Sequence, residues 1–205
     1  MRDFFKKFAH EESGSASIEL LLCVPIIFWV LLSTIVYFDA FENEAISTRA
    51  SLTIADMISR EDATIDNAYI NNAARLLTDL TETERTPELR VTVFRYRNSD
   101  NNYQVRWSRT SNVGGVQGYG GQRVTTSMLR SREFKNRLPI MSDQERAILI
   151  ETRTQYEPLL SAISISPILA VGNLDDVEFN TFTVISPRFT NSVCMERSGG
   201  RSPRC

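Results

Sequence analysis

Residues 20–38 read LLLCVPIIFWVLLSTIVYF, nineteen consecutive positions without a charged side chain. A helix needs about 20 mainly apolar residues to cross the hydrocarbon core of a bilayer, which is about 30 Å thick. Buried helices of soluble proteins seldom run that far without a charge. Pro25 falls inside the stretch, and membrane helices tolerate such prolines because neighbouring groups satisfy the freed backbone carbonyl. The sequence therefore predicts one membrane-spanning helix.

The residues on either side of this stretch predict that the helix is retained and how it is oriented. A removable secretory signal has an apolar region of about 7–15 residues followed by small residues at a cleavage site. Here the apolar run is longer, and residues 39–44, DAFENE, offer no such site. Arg2, Lys6 and Lys7 precede the run, whereas Arg49 is the one basic residue in the first fifteen after it. Because basic residues favour the cytoplasmic side, we expect a cytoplasmic N-terminus.

Residues 14–19, GSASIE, stand directly before the apolar run and follow a short polar segment of thirteen residues. This arrangement resembles the cleavage site of type IV pilin-like precursors. In that family a polar leader ends in Gly, prepilin peptidase cuts after it, and the fifth residue of the mature chain is Glu. The resemblance places the cut between Gly14 and Ser15 and makes Glu19 the fifth mature residue. It also implies that Glu19 meets the N-terminal amine of a neighbouring subunit.

Glu19 has a second interpretation that does not involve cleavage. A carboxylate beside a membrane-spanning run is costly unless it is paired or lies among the lipid headgroups. At the headgroup level it would be stabilised by the positive end of the helix dipole. Cleavage after Gly14 would instead supply an α-amine, with a reference pKa of about 7.7–8.0, one helical turn away. The polar leader and the Gly at the correct spacing favour processing.

Beyond the apolar run, the hydrophobic pattern changes from helical to alternating near Pro87, which predicts an α+β fold with about four mainly antiparallel strands. The second helix is expected to bury one face, made of Tyr69, Ile70, Ala73, Leu76, Leu77 and Leu80. The expected elements are a first helix over about 17–60, a second helix over about 66–80, a β-hairpin of strands 89–96 and 103–109, an exposed flexible glycine-rich loop over 113–122, and strands over 148–157 and 177–186.

Within the pilin-like precursors, the sequence is most similar to the TadE-type pseudopilins of tight-adherence (Flp) pilus systems. The resemblance rests on Ser17-Ile18-Glu19 followed by an apolar run with an early Pro25, and more weakly on TQYEPL at 154–159 and ISPRF at 185–189. It implies a leader over 1–14, a membrane-spanning half-helix over 15–38 and a periplasmic head over 39–205, anchored in the bacterial inner membrane. Implied partners are prepilin peptidase, other pilin and pseudopilin subunits, the inner-membrane assembly platform and membrane lipid.

Two of the three cysteines bracket the C-terminal tail. Cys23 lies inside the apolar run, where it resembles a small apolar side chain. Cys194 and Cys205 are separated by ten residues rich in Gly, Ser, Pro and Arg. In an oxidising periplasm they can close a disulfide loop, as many pilins do at this end of the chain. The alternative is a pair of unlinked thiols in a disordered tail.

Charge is segregated along the chain although the net charge is −2. Counting Lys and Arg against Asp and Glu gives 3 against 10 over residues 39–84 and 11 against 3 over 85–137. It gives 2 against 7 over 138–185 and 4 against 1 over 186–205. These blocks either steer subunits together or neutralise each other within the fold. Aromatic residues do not alternate with a continuous basic stripe, so we expect no nucleic-acid partner.

The sequence offers no catalytic motif, cofactor motif or metal motif, and we expect a structural protein and not an enzyme. His10 is the single histidine and lies in the leader, so a His-dependent triad or a zinc site would not survive cleavage. The glycines of 113–122 do not form a nucleotide-binding pattern. Asp175-Asp176 is an acidic pair that fits a solvated loop better than a calcium site.

Two other functions remain open at this point. One is an unprocessed single-pass scaffold of the same pilus system, which is TadG-like and shares the N-terminal pattern. The other is a membrane-anchored periplasmic receptor or adhesin module, in which Arg95 and Arg97 of the charged hairpin bind a ligand.

Overall fold

The computed structural model describes residues 15–83, 85–156, 177–197 and 201–205. The chain divides into two units. The first contains residues 15–41 of this described part, and the second contains the remainder. The class is α+β, as predicted: a long apolar N-terminal helix, a second helix and a four-stranded antiparallel sheet.

The first helix, α1, is continuous over Ser15–Ser59, close to the predicted 17–60. Pro25 lies within it, and the helix continues through this position. Its C-terminal end is fixed by Ser59, whose hydroxyl donates to the carbonyl of Asp56 at 2.8 Å. The Asp56 carboxylate also pairs with Arg60 at 2.8 Å, a contact between side chains one turn apart.

The second helix, α2, covers Asn67–Thr81. Asp66 caps its N-terminus, because its carboxylate accepts from the Tyr69 amide at 2.7 Å. The predicted buried face is only partly correct, since Leu76 and Leu80 are 37% and 38% exposed. The observed buried face is turned about the helix axis relative to the predicted one, toward smaller side chains. It consists of Ile70, Ala73, Ala74, Leu77 and Thr81.

The main sheet has four strands in the order β2 (Asn102–Thr110), β1 (Glu88–Arg97), β5 (Arg146–Gln155) and β6 (Glu178–Ile185), and every neighbouring pair is antiparallel. The predicted hairpin is present as β1 and β2, and a bulge shifts their register between Val93 and Phe94. Both later strands are also present, although residue 157 of the predicted 148–157 strand is outside the described chain. The remaining strands are β3 Asn112–Val113, β4 Val116–Gln117, β7 Met195–Arg197 and β8 Arg201–Arg204.

Both faces of the central strand β1 are covered. On one face Leu89, Val91 and Val93 pack with α2 and with the C-terminal half of α1 (residues 42–59). On the other face Phe94 packs with Leu149 and with two short helices, α3 (Thr126–Arg130) and α4 (Arg132–Lys135), which the sequence pattern did not predict. Thr125 caps α3 through its hydroxyl. The second unit is therefore a three-layer arrangement of helices, sheet and a short helical cover.

The glycine-rich segment differs from the exposed flexible loop predicted over 113–122. Strands β3 and β4 form a small hairpin whose tip carries Gly114 and Gly115, both with positive φ and open space around them. The next turn, Gly118–Gly121, packs back onto the sheet. Gly118 is buried there, and a Cβ at this position would come within 2.7 Å of the Ser111 hydroxyl. The absence of a side chain therefore permits this close approach.

Candidate functional site

The apolar part of α1 exposes nearly all of its side chains. Leu21, Ile26 and Phe38 are 74%, 64% and 71% exposed. Over its most apolar 18-residue window the mean hydropathy is 2.5, and only 6% of that window is buried. A helix of this length and composition is able to cross a bilayer. Exposed apolar surface of this extent requires lipid or partner helices to cover it, so this helix is compatible with a single-pass membrane anchor.

Glu19 lies on α1, one turn after its first described residue, Ser15. Its side chain is exposed, and the apolar run begins at the next residue. Because residues four apart share a helix face, a new amine at Ser15 and the Glu19 carboxylate would lie on the same side of α1. Gly14, the other half of the predicted cleavage site, is outside the described residues, and so is the leader.

Hydroxyl groups join the C-terminal half of α1 (residues 42–59) to the sheet. Ser47 donates to Thr154 of β5 at 3.1 Å, and Thr181 of β6 donates to Ser51 at 2.7 Å. Thr181 also contacts Thr152 of β5, with 2.6 Å between the two hydroxyl oxygens. Ser47, Ser51, Thr152 and Thr154 are all buried. Small side chains bring the helix close to β5 and β6, and these hydrogen bonds satisfy the polar groups that this closeness buries.

A buried ion pair lies beneath the glycine-rich turn, on the face of the sheet opposite α1 and α2. Arg90 of β1 and Glu151 of β5 are register partners. Two N–H groups of the Arg90 guanidinium donate to the two Glu151 carboxylate oxygens at 2.7 Å each. The two side chains are 6% and 8% exposed. Arg90 also donates to the Gln122 carbonyl at 3.2 Å. The main chain that follows the glycine-rich turn therefore helps to bury the ion pair.

Tyr119 of the glycine-rich turn covers the Arg90–Glu151 ion pair. Its ring lies over Arg90, with 4.1 Å from the guanidinium carbon to the ring centroid, a cation–π contact. Burial and then the Glu151 carboxylate raise the pKa of the Tyr119 hydroxyl well above its ordinary value of 10.0. The ring therefore stays neutral throughout the physiological range. It stabilises Arg90 through its π face without introducing a charge.

The C-terminal tail is tied to the rest of the second unit. A disulfide joins Cys194 and Cys205, which are predicted partners. The Ile65 amide donates to the Cys194 carbonyl at 3.0 Å, and the Glu196 amide donates to the Ile65 carbonyl at 2.8 Å. The buried indole N–H of Trp107 donates to the Val193 carbonyl at 2.9 Å. The alternative of unlinked thiols in a disordered tail does not agree with these contacts.

Removing the disulfide by Cys194→Ser with Cys205→Ser is expected to lower the free energy of unfolding by somewhat under about 3 kcal/mol, because the closed loop constrains the unfolded chain. The closure is short, with a sequence separation of 11. Chemical denaturation of the oxidised protein and of the variant measures the difference. Cys23→Ser is the control and should leave the denaturation midpoint unchanged; an equal shift in this control would contradict the assignment.

Ion pairs connect some of the oppositely charged blocks within one chain. Arg188 of the basic 186–205 block pairs with Asp56 of the acidic 39–84 block at 2.7 Å. Arg153, by contrast, pairs with Glu178 of its own block at 3.4 Å and with Glu88 at 3.6 Å, so its contacts do not reduce the excess charge of either block. Together with the buried Arg90 pair, the Arg188 contact accounts for only part of the charge. Neutralisation within the fold is therefore present but incomplete among the residues that the structure describes.

A cavity of about 170 Å³ opens where α2 ends and β5 ends. This volume is below the roughly 300–1,000 Å³ typical of small-molecule pockets. Across the described ranges, no group of three or more His, Cys, Asp or Glu side chains could hold a metal ion. His10 and the Asp175-Asp176 pair fall outside those ranges. The cavity is lined by Asn43, Thr81, Glu82, Thr83, Thr154, Gln155, Tyr156 and Phe179.

Comparison of the chain with protein-family models, with curated proteins and with solved structures finds no match.

Proposed function

We propose that the protein is a pilin-like subunit of a tight-adherence pilus, a minor pseudopilin of TadE type that acts by subunit packing and not by catalysis. Prepilin peptidase would cut it after Gly14, leaving α1 anchored in the bacterial inner membrane with the head in the periplasm. The observation that carries the proposal is the continuity of α1, whose exposed apolar half runs directly into a half that packs against a sheet.

This arrangement supports a packing role for physical reasons. The apolar half of α1 can exchange lipid for the helices of neighbouring subunits, since both surroundings are apolar. Meanwhile the head keeps its own core, in which Ile54 and Ile58 of α1 are fully buried. The anchor can therefore move from the membrane into an assembly without unfolding the head. The assembly platform and the other pilin subunits are the partners that this transfer requires.

Cleavage would also create the electrostatic partner that Glu19 requires. A carboxylate near the lipid is costly without a counter-charge, and the amine of Ser15 on a neighbouring copy or sister subunit would supply one. An uncut chain lacks this amine at the membrane edge. Processing and the position of Glu19 are therefore parts of one mechanism.

The mass of the protein purified from its native membranes tests processing. We expect the mature chain to begin at Ser15, and we expect Gly14→Val to retain Met1 because a branched side chain at the cut blocks the peptidase. Ala9→Val adds similar bulk elsewhere in the leader and should leave cleavage intact. A wild-type chain that begins at Met1 would instead favour the unprocessed TadG-like scaffold.

A further inference from the structure

Four arginine side chains gather at one end of the sheet. Arg95 of β1 stands directly opposite Arg146 of β5. Arg106 lies in the bulge of β2, where its Nε donates to the main-chain oxygen of Cys205 at 2.6 Å. Arg204 of β8 precedes that residue. Burial, followed by the charges of Arg95, Arg146 and Arg204, lowers the pKa of Arg106. We call these four residues the arginine end.

In the described part of the chain, Arg95 of the arginine end donates to the side-chain oxygens of Gln104 and Gln144 and not to a carboxylate. No Asp or Glu side chain in the described ranges forms an ion pair with any of the four. The acidic side chains nearby hold the turns: Asp143 accepts from the Asn98 amide at 2.7 Å, and Glu145 accepts from the Ser142 amide at 2.7 Å. Like charges placed directly across a strand pair are destabilising. An anionic partner would relieve this repulsion.

The opposite end of the sheet carries unpaired carboxylates. Strand β5 runs from Arg146 to Gln155, so its two ends are about 30 Å apart at roughly 3.4 Å per residue. At the far end, the cavity brings Asn43 of α1 beside Glu82 at the end of α2. Glu42 and Glu44 flank Asn43 along α1. We call Glu42, Glu44 and Glu82 the acidic end.

One basic side chain, Arg85, also lies at this end of the sheet, where it donates to Gln155; the three carboxylates of the acidic end outnumber it. All three are exposed, and none forms an ion pair within the described chain. Glu82 stands at the C-cap of α2, whose last turn contains no basic residue. The negative end of a helix dipole disfavours a carboxylate there and favours a cation. A positively charged partner would stabilise this end of the second unit.

We infer that the arginine end of one copy docks on the acidic end of a second copy, head to tail. The two surfaces carry an excess of opposite charge and lie at opposite ends of the same sheet, and the residues that define them form no ion pair among the described residues. Because the contact joins different surfaces, every added copy leaves one arginine end and one acidic end free. The inference deepens the subunit packing that the proposed function requires, and its test does not depend on whether Gly14 is the cleavage point.

Charge reversal in the full chain, in detergent micelles, tests this pairing by sedimentation velocity. We expect the wild type to associate at about 0.01 M ionic strength and to dissociate toward about 1 M, where the Debye length falls from about 30 Å to about 3 Å. Arg146→Glu with Arg204→Glu should weaken association at least about tenfold, because attraction between the two ends becomes repulsion. Glu44→Arg with Glu82→Arg should do the same.

Combining the four changes in one chain restores opposite charges at the two ends, so we expect it to recover association. Mixing the two double variants should also recover it. The matched control, Arg130→Glu with Arg132→Glu, reverses exposed charges on the short helices and should associate like the wild type; melting followed by circular dichroism checks that each variant is folded.

Two results would overturn the inference. One is association that ignores salt and both double variants, which would assign it to the apolar half of α1. The other is a wild type that stays monomeric but binds vesicles containing an anionic lipid through the arginine end. In that case the occupant is a membrane surface and not a second copy.

Discussion

Glu19→Ala is expected to abolish pilus assembly while the protein still folds, inserts and is cleaved after Gly14. The substitution removes the carboxylate that would meet the amine of a neighbouring subunit, and it leaves the apolar run unchanged. Sheared fibres, quantified against the membrane fraction, measure assembly. The mass of the membrane-bound chain shows whether cleavage still occurs.

Two further variants make the Glu19 result specific. Glu19→Asp keeps the charge one methylene shorter and should retain part of the assembly. Glu133→Ala removes an exposed carboxylate from α4 and should assemble like the wild type. If piliation survives Glu19→Ala and a binding activity is instead lost on replacing Arg95 and Arg97, the receptor or adhesin function replaces the pilin-like one.

Glu151→Gln is expected to lower the free energy of unfolding by about 3–5 kcal/mol, because it leaves the buried Arg90 guanidinium without its counter-charge. Chemical denaturation of the full chain in detergent, followed by near-ultraviolet circular dichroism, measures the loss. Glu178→Gln is the matched control. It weakens a contact with Arg153 whose side chains are 36% and 38% exposed, and exposed pairs contribute only about 0–1 kcal/mol.

Replacing both members of the buried pair separates charge from packing. Arg90→Met with Glu151→Leu removes both charges together, so most of the stability should return. Failure of the double variant to recover would assign the role to shape, since Tyr119 and Gln122 contact Arg90 directly. Equal losses for Glu151→Gln and Glu178→Gln would contradict the importance of burial.

Helices and strands that depend on a local sequence pattern were predictable from the sequence. The apolar run and the helical repeat after it place the C-terminal end of α1 within one residue of Ser59. Alternation in LRVTVFRY places β1, and the polar turn after it places the hairpin. These signals are local because hydrogen bonding within a helix, or between strands joined by a short turn, involves near neighbours.

Contacts between distant segments were not predictable in the same way. Alternation along β1 assigns Arg90 to the face away from the helices, where a charged side chain suggests solvent, but the turn that buries it begins about thirty residues later. The sequence of the tail suggests the Cys194–Cys205 pairing but does not indicate that the distant Trp107 donates its indole N–H to the Val193 carbonyl. On α2, hydropathy favours Leu76 and Leu80 over Ala74 and Thr81, whereas close packing against the sheet selects the smaller pair.

The hydroxyl contacts between α1 and the sheet have a mechanical consequence. Ser47 and Ser51 are one turn apart on the helix and are bonded to different strands. Sliding of this part of α1 past β5 and β6 would therefore have to break directional hydrogen bonds as well as apolar contacts. Buried apolar contacts alone resist such sliding weakly, because apolar side chains can move past one another without breaking a directional bond. This joint therefore holds residues 47–51 of α1 in register with the sheet more firmly than apolar packing alone would.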